Sequence, residues 1–63
     1  MCLSTPGKVI SIAGKFALVD FGGIRKKVNI EFLSVIPGDY ILSYSGYAIE
    51  KLDEKTVKEL LGG

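Results

Sequence analysis

From Gly7 to about Lys51, apolar and polar positions alternate with a period near two, and glycines punctuate the alternation. "KVISIAG" alternates Val9 with Ser11 and Ile10 with Ile12, which predicts a strand ending at Gly14. "KFALVDF" is rich in β-formers and stops at Gly22 and Gly23, so the first two strands are expected to form a hairpin around Gly14. "IRKKVNI" places Ile24, Val28 and Ile30 on one face with Lys26 among them, and Arg25, Lys27 and Asn29 on the other. Gly22 and Gly23 suit a hairpin turn because glycine accepts positive φ at little cost. "EFLSVIPGD" breaks the pattern, with a turn at Pro37 and Gly38. "YILSYSGYAIEKL" is one long run in which Gly46 predicts a bulge or sharp bend rather than two separate elements.

The period then changes. In "LDEKTVKELLGG", Asp53 is an N-cap with Glu54 in the first turn, and Leu52 and Val57 are placed to form a hydrophobic staple. Val57, Leu60 and Leu61 make one apolar stripe, and Gly62 fits the position just past the helix end. A helix of about two turns is marginal alone, so it is expected to dock on the sheet. Five short strands, glycines at the corners and a final helix predict an all-β fold, a small five-stranded OB-like barrel with a short C-terminal α-helix. Closure removes the exposed edges of so small a sheet. Strand number alone does not separate it from an SH3-like barrel. The expected organisation is a single domain over 1–63. An N-terminal cysteine segment covers 1–7, the barrel 8–51 and the helix 53–61.

Length and charge narrow what such a barrel can do. At 63 residues only about 60% of the chain's surface leaves water on folding, so there is no interior room for a large cofactor. A net charge of +1 is unlike a nucleic-acid binder, whose affinity rests on neutralising phosphates. No segment approaches the roughly 20 apolar residues that cross a bilayer, and the start lacks the pattern of a signal peptide. The single cysteine cannot form an internal disulfide, and with no histidine it cannot build a usual structural zinc site. A reducing cytoplasm is the expected location, with neither nucleic acid nor membrane as partner.

Cys2 is the residue most able to carry chemistry. A buried cysteine is ordinarily a small apolar packing residue, but position two makes burial hard, and an exposed thiol invites oxidation. A thiolate is a soft ligand for iron or copper and also a nucleophile. Without histidine there is no Cys–His pair. Removal of Met1 would leave an α-amino group, with an ordinary pKa of roughly 7.7–8.0, to assist as base or second ligand. Alone Cys2 is not a stable metal site; it can serve as half of one that a partner completes, or as a nucleophile. Pro6 stiffens the segment behind it, and Gly7 is expected to permit a turn into the barrel. Arg25, Lys26 and Lys27 form the only basic run, either a solvated strand face or a patch for an acidic partner. Tyr40, Tyr44 and Tyr47 read as core and rim residues rather than a base-stacking platform.

"MCLSTPGKV", "ALVDFGGIRKKV" and "PGDYILSYSGYAIEKLDE", in that order and spacing, resemble the HypC/HupF/HybG family of NiFe-hydrogenase maturation chaperones over nearly the whole chain. Met1, Cys2 and Leu3 with Pro6 and Gly7 carry the most specific block. Ala17, Val19, Asp20 and Gly23 carry a second, and Pro37, Gly38, Asp39, Gly46, Tyr47 and Ala48 a third. The resemblance implies an OB-like barrel with a C-terminal helix, and loss of the first methionine to expose Cys2. It implies that Cys2 helps to hold an iron carrying cyanide and carbon monoxide, the Fe(CN)2CO group, together with a HypD-like iron–sulfur protein. The group then passes to the hydrogenase large-subunit precursor, and the chain itself is not an enzyme. The positions expected to contact the partner are Cys2, Leu3, Pro6, Gly7, Lys26, Tyr44, Gly46 and Tyr47, with Cys2 the shared iron ligand. Three positions depart from the family pattern: Tyr44 stands where a histidine is usual, Lys26 where an arginine is usual, and Ser4 where glycine or alanine is common. A neutral phenol is a poorer iron ligand than imidazole, and lysine cannot copy a bidentate arginine contact. A barrel-type nucleic-acid module, a thiol enzyme and a divergent paralogue with another client are the competing readings.

Overall fold

A computed structural model describes residues 5–60. The order is β1 (Thr5–Ala13), β2 (Phe16–Asp20), β3 (Arg25–Asn29), β4 (Tyr40–Tyr44), β5 (Tyr47–Leu52) and α1 (Glu54–Leu60). The strands close in the order β1-β2-β3-β5-β4, with β4 returning to β1. Every pairing is antiparallel except β3 with β5, which meet in parallel at Asn29 and Tyr47. This order gives the OB-like barrel expected from the pattern and separates it from the SH3-like alternative.

β1 serves two neighbours. Its first half pairs with β4, Thr5 opposite Ser43 and Lys8 opposite Tyr40. Its second half pairs with β2, and a register shift between Val9 and Ser11 marks a bulge at Ile10. That bulge bends the strand round the barrel corner. It also breaks the simple alternation: Val9 is buried, Ile10 half-buried and Ile12 exposed. The core is Val9, Ala17, Val19, Val28, Ile41 and Ala48, with Ile30 and Val35 added by the irregular segment 30–39. That segment is tied down by backbone bonds, Val9 N–H to the Asp39 carbonyl and Gly38 N–H to the Val9 carbonyl, each 2.8 Å. Pro37 and Gly38 form the expected turn, closed by the Asp39 N–H on the Ile36 carbonyl at 3.0 Å.

The Asp53 carboxylate caps α1, accepting the Thr56 N–H at 2.7 Å. Val57 is the buried side chain among those described on the helix. It borders a hollow of about 310 Å³ with Pro6, Gly7 and Phe21, which places the helix against the start of β1. Leu61 and Gly62 lie outside the described residues.

Four expectations need correction. The run around Gly46 is two strands, not one bent element. Ser45 and Gly46 make a two-residue hairpin turn with φ of 55° and 85°, the pair of positive values that a type I′ turn requires. The bulge in that hairpin lies between Leu42 and Ser43 instead. Gly7 forms no turn. It sits inside β1, where an added Cβ would meet Val19 Cγ1 at 2.5 Å and the Phe21 ring at 2.6 Å, so close packing is what requires glycine there. Ile24, placed on one face with Val28 and Ile30, does not share their burial. It precedes β3 and is 62% exposed, while Val28 and Ile30 are buried as expected. None of the three tyrosines is buried: Tyr40 is half-buried, and Tyr44 and Tyr47 are exposed on either side of the β4–β5 turn.

Candidate partner-docking site

The first described residue, Thr5, opens β1 beside Ser43 at the end of β4. Cys2 and Leu3 lie outside the described residues. Thr5 and Ser43 mark one end of the barrel.

A crevice of about 260 Å³ lies at the same end. Thr5 and Ser43 line it on one side, Lys26 and Val28 of β3 on the other, and Tyr44 and Gly46 border it at the hairpin. Three of the residues singled out from sequence, Lys26, Tyr44 and Gly46, are therefore brought together beside the strand that leads to Cys2. Pro6 and Gly7 border the neighbouring hollow instead, and Phe21 lines both spaces. Phe21 presses on the Gly7 backbone, so it sets where the N-terminal strand runs. Tyr47 points elsewhere and stacks on Phe32, ring centroids 5.6 Å apart. Both rings are largely exposed on the barrel's outer surface.

Pattern reading missed Thr5, Phe21, Ile24, Ser43 and Ser45 as lining residues. Ile24 carried a usable signal, a large apolar side chain directly after two turn glycines and outside the strand's buried positions. The others carried none, because they meet only through barrel closure.

Positive charge gathers on β3. Arg25, Lys26 and Lys27 are all exposed, and among the described residues none of them forms an ion pair. Lys27 lies over the Phe16 ring at 5.0 Å, a cation–π contact on the outer face. Lys26 alternates with it along β3, and both lysines border the crevice. At the opposite end of the barrel, Lys51 pairs with Asp39 at 3.3 Å in an open groove. The Ile36 N–H, with help from Lys51, holds the Asp39 carboxyl below its ordinary value of 3.8. The Thr56 hydroxyl and N–H do the same for Asp53.

Among the described residues no group of three or more histidine, cysteine or acidic side chains is placed to hold a metal ion. The same residues include no helix long and apolar enough to cross a membrane. The arrangement offers a recess with a cation, a phenol and apolar walls, next to a strand that leads to a thiol. These are parts that can meet a protein surface.

Comparison with known proteins gives consistent results. The model of the HupF/HypC family matches residues 1–62. A hydrogenase maturation factor HypC from Helicobacter hepaticus is 38% identical over 64 residues, covering 97% of this chain and 74% of the relative. Its counterpart from Synechocystis is 35% identical over 71 residues, covering 97% of this chain and 90% of the relative. The Cupriavidus necator protein of the same name is 32% identical over 63 residues, covering 97% and 70%.

Proposed function

The chain belongs to the HupF/HypC family, and from that premise we propose that it is a hydrogenase maturation chaperone whose Cys2 thiolate carries an iron centre between proteins. The observation that carries this reading is the juxtaposition at one end of the barrel. Thr5, three residues after Cys2 in the sequence, shares a crevice with Lys26, Tyr44 and Gly46. In this reading the iron, with its cyanide and carbon monoxide ligands, is cargo. Cys2 supplies one soft ligand, and a HypD-like iron–sulfur protein supplies the rest of the shell. A half-site suits transfer, because a complete protein cage would hold its metal too firmly to release it.

Each neighbouring residue then has a defined task. The tight β1 backbone at Gly7 and the ring of Pro6 limit how far the thiol can wander. Lys26 offers a positive charge to the partner surface. Tyr44 stands where the family usually has histidine, so the phenol acts by hydrogen bonding and shape in the docked complex, and the partner supplies the remaining metal ligands. The chain works in the cytoplasm, hands its cargo to the large-subunit precursor, and acts by binding and transfer rather than by turnover.

The test is co-expression with a HypD-like partner. The wild-type chain should co-purify with the partner and with iron, and intact mass should show loss of Met1. Cys2→Ala should retain the barrel's thermal melt but lose the extra iron. Equal iron in both preparations would remove Cys2 from the role given to it.

A further inference from the structure

The pairing of β3 leaves one of its edges open. In an antiparallel ladder, alternate residues direct both backbone groups at the partner strand and the rest direct theirs away. Phe21 N–H bonds the Ile24 carbonyl at 2.7 Å, and Ile30 N–H bonds the Lys15 carbonyl at 2.7 Å. With the register Val19 to Lys26 and Ala17 to Val28, residues 24, 26, 28 and 30 bond toward β2. Arg25, Lys27 and Asn29 therefore direct their N–H and C=O groups away from β2. Asn29 is satisfied, its N–H bonding the Gly46 carbonyl at 2.9 Å, where β3 touches β5. The parallel contact goes no further. Among the described residues nothing pairs with the outward backbone groups of Arg25 and Lys27, and the crevice lies along that edge.

An open strand edge is a template for another strand. Its side chains decide which one. The edge carries Arg25, Lys26 and Lys27, both lysines bordering the crevice; Asp20 stands opposite Arg25, but among the described residues none of the three cations forms an ion pair. A second copy of this chain pairing edge to edge would set three cations against three, which is repulsive. A strand with carboxylates at alternate positions would meet Arg25 and Lys27. Its other side chains would face Ile24, Val28 and Lys26 in the crevice.

We infer that the open edge of β3 at Arg25 and Lys27 receives an extended, acidic segment of a protein partner by strand addition. This deepens the maturation reading and rests on it for the partner's identity: backbone pairing at β3 registers the partner beside the segment that bears Cys2.

The test is residue-resolved amide exchange by NMR on the full chain. It is run with and without a capped peptide of alternating glutamate and valine. In the unbound protein the Arg25 and Lys27 amides should exchange fast while those of Lys26 and Val28 are protected. With the peptide, Arg25 and Lys27 should become protected. Lys27→Pro deletes the outward N–H at a position where an edge strand tolerates proline. It should weaken the peptide by about fifteen-fold, about five-fold for one net hydrogen bond and about three-fold for the lost charge. Lys27→Gln keeps the N–H and should weaken it by only about three-fold. Slow exchange at Arg25 and Lys27 without peptide would overturn the assignment, because the edge would already be covered. So would unchanged affinity in a folded Lys27→Pro, or equal binding of a lysine–valine peptide. Capture of a HypD-like protein separates this inference from the reading above it. If wild type captures none while the peptide still protects the edge, the maturation reading fails and the edge assignment stands. If Lys27→Pro captures the partner as well as wild type does, the edge assignment falls and the maturation reading stands.

Discussion

Replacing Gly7 with alanine adds one methyl group where three carbon atoms already lie at 2.5, 2.6 and 2.7 Å from the new position. Optimal carbon–carbon separation is about 3.5–4.0 Å, so Val19 or the Phe21 ring must shift by about 1 Å. Val19 is fully buried in the core and Phe21 is packed against it, so neither moves without disturbing others. Overpacking of this kind costs about 1–3 kcal/mol. Gly7 has no positive φ, so alanine recovers about 0.4–1 kcal/mol by restricting the unfolded chain. The net expectation is destabilisation by about 1–2 kcal/mol. A chain of this size has only about 3–9 kcal/mol of total stability. Its melting temperature should fall by about 5–15 °C, measured by circular dichroism at equal concentration. Truncating Val19 in the same chain should give a smaller combined loss than the two single losses added, because the shortened side chain makes room. A Gly7→Ala melt equal to or above wild type would refute the claim that glycine is required there for space. Because β1 leads to the cysteine segment, the same variant should also bind the HypD-like partner less well.

The β4–β5 turn holds Ser45 at a φ of 55°, which asparagine tolerates better than serine. Ser45→Asn should raise the urea midpoint, and a lower midpoint would contradict the assigned turn. Acid sensitivity follows from Asp39 and Asp53, whose carboxyls are both held below 3.8 by hydrogen bonds in the folded state. Their contribution is complete above the unfolded value and is lost as pH falls through the lower folded values. Melting temperature should therefore change little from pH 7 to about pH 5 and drop below about pH 4. Asp39→Asn with Asp53→Asn should flatten that drop; an unchanged acid limb would remove both groups from the account.

How much of this was legible in sequence depends on the range over which each feature is set. The hairpin at Gly14, the turn at Pro37 and Gly38, and the Asp53 cap are local, set by one or two residues, and each stands in the structure where the pattern places it. Gly46 was legible only in part: a Ser-Gly pair between two β-rich runs is also a hairpin signal, and a long apolar run masks it. Gly7 could not be understood locally, because its reason is Val19 of β2 and the ring of Phe21 just after that strand. Ile24 misled because period-two reading assigns a face without knowing where a strand begins. The candidate site shows the same division. Lys26, Tyr44 and Gly46 could be named from the family blocks, but their meeting in one crevice with Thr5 and Phe21 is a product of barrel closure.

The central claim is that this barrel presents Cys2 as half of an iron site. The most direct measurement is infrared spectroscopy of the chain co-expressed and purified with a HypD-like protein, wild type beside Cys2→Ala. The account predicts cyanide and carbonyl stretches in the wild-type complex, and their loss or shift when the thiol is absent. Bands of unchanged position and intensity in Cys2→Ala would contradict it.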